Sequence, residues 1–294
     1  MTSPTARKRA QLTAFTAQKL AGHAAVRAVL AIGSLASGTA HDGSDLDVAI
    51  FLDPFDPYLV PAESIWDPES DTFHSIFVDD DRLQRHGLPL DCQRFDLARW
   101  RDPAHHWPEP VRAELAGGWT AFDRDGEVTR LVAERAVYVE TYRQQRLDEA
   151  ITWLDQHLAE QGLRTRWTTL GPATAQDRLQ AAYEYLVQAL FAANRRWRPW
   201  RNREMTALLA LPWLPANFAD RVLAAAVASG HGETAYLARA RALQELFDEL
   251  LRHLQADGTY GDDPISEAFI RSHDEPGRAW NMDAWNAEHR RRFG

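Results

Sequence analysis

Apolar and polar residues alternate most clearly in the first third of the chain. Residues 46–52 place apolar side chains on one face of a predicted strand, while Asp45 and Asp47 project from the other face. The apolar run 25–32 ends at Gly33 and predicts a buried strand before it. The pattern therefore indicates two strands joined by a glycine- and serine-rich turn that leads into closely spaced carboxylates.

The rest of the chain divides into a mixed part and a helical part. A helix is predicted over 5–21, and further strands are predicted within 72–78, 88–96 and 118–127. The later elements are a long helical stretch, a linker and four helices, predicted at 128–161, 162–174, 175–197, 201–211, 216–229 and 233–255. We therefore expect an α+β protein, with a small mixed-sheet domain at 1–160 and a C-terminal α-helical bundle with a polar tail at 161–294.

Composition narrows the classes of function. The 294 residues carry a net charge of −9, which argues against a nucleic-acid partner and suits a cationic or neutral small molecule. Lysine occurs only at Lys8 and Lys19, so a P-loop lysine is missing from most of the chain. No apolar run approaches the roughly 20 residues of a membrane span, and a single cysteine, Cys92, agrees with a reducing compartment. The expected location is cytoplasmic.

The turn and the strand after it carry the chemistry. Asp45 and Asp47 are two residues apart on a strand, so both carboxylates can reach one cation, and oxygen ligands are those that Mg²⁺ prefers. Gly33 and Ser34 follow the first strand, where a glycine lets the backbone approach a phosphate and a serine hydroxyl can donate to it. This combination predicts attack on a nucleotide phosphorus at a two-metal site. A third carboxylate is expected on a neighbouring strand, either Asp91 or Asp96.

These residues resemble the signature of the polymerase-β-like nucleotidyltransferase superfamily. The shared positions are Gly33 and Ser34, then Gly38 after three residues, then Ser44, Asp45 and Asp47 after five more. The resemblance implies a small mixed sheet, two Mg²⁺ ions held by Asp45, Asp47 and a third aspartate, and ATP or another NTP bound at Gly33 and Ser34, with Ser44 in the same motif. Asp91 matches the third position by order and strand context.

The order of the domains is similar to that of the antibiotic nucleotidyltransferases, which adenylylate aminoglycosides or lincosamides. This resemblance implies transfer of AMP to a small hydroxyl acceptor, with pyrophosphate released and antibiotic resistance as the outcome. In the segment 194–201, Arg195 and Arg201 either contact the triphosphate or are solvated at a helix end. Glu140 and Glu184 are candidate general bases.

Two alternatives remain open at this stage. The first is a toxin–antitoxin or defence-type enzyme that modifies a protein or an RNA. The second is a nucleotide-binding regulatory module without turnover, although the retained pair of aspartates disfavours it.

Overall fold

The computed structural model describes residues 3–273 and 282–294, and its contacts divide the chain into two compact units, Met1–Val137 and Tyr138–Gly294. The first unit contains the sheet and the second is helical, so the expected α+β class is confirmed. The boundary predicted at residue 160 lies in the first turn of a helix of the second unit, Glu160–Thr165. None of the helices in the described ranges combines the length and the apolar composition that a bilayer span requires.

The first unit contains a six-stranded sheet in the order β4-β3-β5-β2-β1-β6. The central pair, β2 and β5, is parallel, and the other neighbouring strands are antiparallel. The strands are β1 (Val26–Ala31), β2 (Leu46–Leu52), β3 (Glu63–Asp67), β4 (Thr72–His74), β5 (Leu88–Asp96) and β6 (Trp119–Asp123).

Helices cover both faces of this sheet. The helices of the first unit are α1 (Pro4–Phe15), α2 (Gly33–Ser37), α3 (Asp81–His86), α4 (Leu97–Arg101), α5 (Glu109–Ala116) and α6 (Glu127–Arg135). Leu12 and Phe15 of α1 pack with Val48 and Ile50 on one face, while residues of α4 to α6 pack with Phe51 on the other. Burial on both faces explains why β2 reads as a nearly continuous apolar run after its aspartates.

Helix α1 begins where the sequence chemistry favours a start. The hydroxyl of Ser3 accepts a hydrogen bond from the backbone N–H of Ala6, and Pro4 occupies the first helical turn. The helix continues as a π-helical turn over Thr16–Leu20. The prediction of one helix over 5–21 is therefore close, with a change of winding near its end.

The second unit is built around long helices with leucine-rich contact faces. Its helices are α7 (Glu140–Leu158), α8 (Glu160–Thr165), α9 (Pro172–Ala193), α10 (Arg201–Leu209), α11 (Phe218–Ala226), α12 (Glu233–Ala256), α13 (Pro264–His273) and α14 (Met282–Phe293). Helix α9 packs against α7 and α12, and α13 packs against α7. Leu154, Leu186 and Leu250 are fully or almost fully buried in this core.

Three sequence predictions need correction. The helix expected over 128–161 is divided into α6, α7 and the start of α8. The linker expected over 162–174 is largely helical, because α8 is followed by a π-helical turn at Arg166–Leu170. The strand expected over 72–78 is limited to the three residues of β4.

Candidate active site

The two motif aspartates lie at the start of β2. Asp47 is the second residue of the strand and is half-buried, while Asp45 lies one residue before the strand and is exposed. The backbone N–H of Ile32 donates to the carbonyl of Asp47 at 2.9 Å, so the end of β1 and the start of α2 lie beside this strand. The fold therefore brings Gly33 close to Asp47.

The parallel pairing of β2 and β5 brings Asp91 beside Asp47. The two residues are register partners, and each is half-buried. Four positions further along the same pair of strands, Phe51 and Phe95 stack with ring centroids 4.9 Å apart, so register partners project from the same face. Neighbouring strands are about 4.8 Å apart, so the carboxylates of Asp47 and Asp91 are neighbours on one face.

A further carboxylate, that of Glu63, lies in line with Asp47 and Asp91, and the three form an acidic row. Glu63 is the first residue of β3 and is the antiparallel register partner of Asp91. Its side chain is exposed. Asp47, Asp91 and Glu63 therefore occupy three adjacent strands at the same level. Sequence analysis missed Glu63 because β3 was not predicted.

Asp96, the other candidate for the third carboxylate, is at the opposite end of β5. It pairs with Leu52, the last residue of β2. Its Oδ1 accepts hydrogen bonds from the backbone N–H groups of Ala98 and Arg99 at 3.1 and 3.4 Å, so it caps α4. The register brings Asp91 to the motif aspartates and leaves Asp96 about five residues, or roughly 17 Å, away from them.

The glycines shape the loop that leads into β2. Gly33 has φ +63° at the start of α2, and Gly38 has φ +81° at its end, a region that favours glycine. Side chains of α1 hold this loop: the hydroxyl of Thr5 donates to the carbonyl of Gly38 at 2.9 Å, and Arg9 donates to the carbonyl of Ala36 at 3.1 Å. The loop around Ser34 is thus anchored on α1.

Ser44 closes the tight turn just before Asp45. Its Oγ accepts a hydrogen bond from the backbone N–H of His41 at 3.0 Å, and its own N–H donates to the carbonyl of His41 at 3.1 Å. The residue is buried. Ser44 therefore supports the turn that presents Asp45, which is a structural role beside the predicted one.

One comparison with known families matches the part of the chain that contains the motif. Residues 16–91 match the family model described as nucleotidyltransferase domain. The matched segment begins in the last turn of the N-terminal helical region and ends at Asp91, so it contains Gly33, Ser34, Asp45 and Asp47 as well. This chain carries a nucleotidyltransferase domain. The match confirms the class of enzyme that the motif indicates.

Comparisons with solved structures and with curated proteins identify no function for this chain. A nucleotidyltransferase-like protein from Exiguobacterium sibiricum 255-15 is similar over 96% of this chain and 87% of its own, with 12% sequence identity and a TM-score of 0.42. At that score the likeness carries no inference about this chain. No curated protein matches the chain.

Nucleotidyltransferase domains generally use a divalent metal ion, for which this domain offers carboxylate oxygens. Within residues 3–273 and 282–294, no group of three or more His, Cys, Asp or Glu side chains converges to hold a metal ion. The pair of Asp47 and Asp91 nevertheless supplies hard oxygen donors, and Mg²⁺ is usually bound by one or two carboxylates together with substrate phosphates and water. The residues present therefore fit a divalent cation that phosphate oxygens would complete.

A cation outside the matched segment also lies near the site. Lys8 of α1 is only 8% exposed. Burial lowers the pKa of its ammonium, and the negative charges of Asp42 and Asp45 act in the opposite direction. Sequence analysis noted that lysine is rare in this chain, but no motif pointed to Lys8. Its burial could not be foreseen without the packing of α1 on the sheet.

The remaining sequence candidates lie in the second unit, where they form ion pairs. Arg195 pairs with Glu140, and Arg201 donates to Glu184 at 2.9 Å. Burial alone would raise the pKa of Glu184, but hydrogen bonds and charge from Arg198 and Arg201 outweigh it and lower the pKa. A carboxylate in such a pair is a weaker proton acceptor, so this arrangement disfavours Glu184 as a general base.

Proposed function

We propose that this nucleotidyltransferase moves a nucleoside monophosphate, most simply AMP from ATP, to a hydroxyl group of a small acceptor such as an aminoglycoside-like antibiotic. The observation that carries the proposal is the register that sets Asp91 beside Asp47, next to the turn formed by Gly33 and Ser34. In the balanced reaction, the acceptor oxygen forms a bond to the α-phosphorus and its proton passes to water or a nearby base, while the bond from the α-phosphorus to the β-phosphate oxygen breaks and pyrophosphate leaves.

The glycine and serine residues of the motif and the three aspartates each have a role in the proposed reaction. The backbone N–H groups at Gly33 and the hydroxyl of Ser34 donate to phosphate oxygens and hold the triphosphate. Asp45, Asp47 and Asp91 would hold two Mg²⁺ ions together with phosphate oxygens. When bound, these ions would neutralise phosphate charge and lower the pKa of the attacking hydroxyl. Ser44 keeps the turn closed so that Asp45 stays beside Asp47.

Charge supports the class of acceptor. The chain has a net charge of −9, and the site adds Glu63 to its aspartates, so a polycationic acceptor would be attracted to it. Arg195 and Arg201 are proposed to contact the triphosphate. Their side chains are 53% and 73% exposed, and the exposed pair of Arg195 with Glu140 is weak enough for a phosphate to compete.

The test is pyrophosphate release with each common NTP and Mg²⁺, in the presence of aminoglycosides, lincosamides or free sugars. The proposal expects release that depends on one class of acceptor and is absent in the Asp47→Asn variant. If radiolabel from ATP instead moved into protein or RNA of a cell lysate, the small acceptor would be excluded in favour of a macromolecular target. ATP binding without turnover on any of these acceptors would contradict transfer altogether.

A further inference from the structure

A cavity lies within the first unit, at the edge of the sheet where β2 and β5 begin, and Ser44 is part of its lining. It is a cavity of about 360 Å³ between α1, the turn before Ser44, and the segment from α3 to β5. This volume is in the range of small-molecule sites. Its lining includes three basic side chains and two amides, from Arg7, Lys8, Arg85, Gln11 and Gln84.

The three basic groups of this cavity differ in their pairing. Arg7 forms a salt bridge with Asp42 on the cavity wall. Arg85 pairs with Asp81 on its own helix at 3.3 Å, where both side chains are exposed. Lys8 is different: in the part of the chain that the structure describes, its ammonium makes no hydrogen bond or ion pair with the protein, and only 8% of the residue is exposed.

An ammonium group in this position is costly for the fold. Removing a charge from water is unfavourable unless partners replace the lost hydration. Lys8 has three N–H donors to satisfy, and the cavity that it lines is the available source of an acceptor. A ligand with several anionic oxygens would satisfy these donors and would also meet Arg7 and Arg85.

We propose that this cavity binds a phosphate group, with the ammonium of Lys8 as its main anchor. The inference rests on the proposed function in one respect, because the proposed reaction handles phosphate anions. Lys8 is also close enough to Asp45 for the charges of these two side chains to interact. Two sources can supply the phosphate: the terminal phosphates of the NTP, or a phosphorylated acceptor. The chemistry of recognition is the same for both.

The chain offers a matched control for testing Lys8. Lys19 is the other lysine, and it is in the same unit, where it pairs with Asp71 at 3.1 Å. Lys8→Met and Lys19→Met therefore remove the same charge from a cavity and from a surface ion pair. Binding of sodium pyrophosphate is measured by calorimetry at constant ionic strength, without metal or acceptor, and thermal unfolding checks that each variant is folded.

The proposal expects Lys8→Met to weaken pyrophosphate binding roughly 10- to 100-fold, the range for losing a charge-assisted hydrogen bond, while Lys19→Met binds as the wild type does. Lys8→Met should unfold no earlier than the wild type, because it removes a buried charge. Wild-type pyrophosphate binding in Lys8→Met, or equal losses in both variants, would overturn the proposal.

A second titration, with ATP and Mg²⁺, separates the sources. Weaker ATP binding in Lys8→Met assigns the cavity to the phosphates of the NTP, and unchanged ATP binding assigns it to a phosphorylated acceptor. Because pyrophosphate binding needs no turnover, the two proposals fail separately. An inactive protein that binds pyrophosphate through Lys8 would remove the transferase proposal, and an active one that binds without Lys8 would remove this one.

Discussion

The motif aspartate Asp47 of the first unit and Asp148 of the second unit have different surroundings. In the first unit, Asp47 and Asp91 are register partners on neighbouring strands, and Glu63 follows on the next strand. In the second unit, Asp148 is 4% exposed and accepts hydrogen bonds from Arg271 and from the hydroxyl of Tyr260, the latter at 2.6 Å. Like charges directly opposite each other destabilise a sheet, whereas a charged hydrogen bond stabilises a helix interface.

These different surroundings predict different effects of mutation, on activity at the acidic row and on stability at Asp148. The acidic row of the first unit brings carboxylates of adjacent strands together, and it suits a site that a cation and a phosphate would complete. Asp148 ties α7 to α13 through Arg271, and its charge is already balanced. Neutralising Asp47 or Asp91 should therefore remove activity, whereas neutralising Asp148 should remove stability.

The largest effect is expected from Asp47→Asn. The amide cannot supply the charge that holds a metal ion, so turnover should fall by roughly a hundredfold to a thousandfold or more. Because asparagine keeps the shape of the aspartate side chain, the melting temperature should stay close to that of the wild type. Steady-state pyrophosphate release and thermal unfolding of the same sample measure both quantities. Loss of stability together with loss of activity would contradict the contrast between Asp47 and Asp148.

The second effect separates the two candidates for the third carboxylate. Asp91→Asn should reduce turnover by about a hundredfold or more, because it alters the row beside Asp47. Asp96→Asn should leave turnover and stability almost unchanged, because asparagine caps a helix about as well as aspartate does. The same assay, applied to both variants, ranks them. Normal activity in Asp91→Asn with lost activity in Asp96→Asn would reverse our assignment.

In the second unit, Asp148→Asn should lower the free energy of unfolding by about 1 to 3 kcal/mol, because it removes the charge that Arg271 binds. Chemical denaturation followed by the helical circular-dichroism signal measures this change. Glu267→Gln is the matched control, since Glu267 contacts Arg271 at 3.5 Å on the surface and should matter by less than about 0.5 kcal/mol. Equal effects in the two variants would show that burial of Asp148 is irrelevant.

The smallest expected effect is a loss of stability of the second unit at low pH. Burial, with the positive charges of Arg178 and Arg166, lowers the pKa of His157 to about 4. The unfolded chain takes up this proton near pH 6.5, so the folded state loses stability as the pH falls from about 6.5 towards 4. Between pH 7 and pH 5 the second unit should lose about 1 to 2 kcal/mol through this group.

The control for this prediction is His157→Phe, which keeps a ring between Trp153 and Tyr185. Urea unfolding at several pH values should show a shallower dependence on pH in this variant. An unchanged slope would mean that His157 does not titrate as described.

Prediction from sequence succeeded where one pattern decided the structure. Strands β2 and β5 have the predicted bounds: β2 is a largely apolar run, β5 mostly alternates buried and half-buried residues, and turn residues precede both. The placement of Asp45 and Asp47 at the start of β2 followed from the same alternation. The helices α9 to α12 also begin and end within a few residues of the prediction, since proline or glycine separates them.

The failures have physical causes as well. Strand β3 is five residues long and lies between prolines, so its sequence resembles a loop. The break between α6 and α7 contains neither glycine nor proline, and tertiary packing sets it. The pairing of Asp47 with Asp91 depends on strand register, which connects residues far apart in the chain. Burial of Lys8 likewise requires the packing of α1.

The central claim is that the row at Asp47 and Asp91 binds a divalent cation together with nucleotide phosphates. The most direct measurement is Mn²⁺ binding, followed by the electron paramagnetic resonance signal of the free ion, in the presence of α,β-methylene-ATP. The account predicts at least about tenfold weaker Mn²⁺ binding in Asp47→Asn and Asp91→Asn, and unchanged binding in Asp96→Asn. Wild-type Mn²⁺ affinity in Asp47→Asn would contradict it.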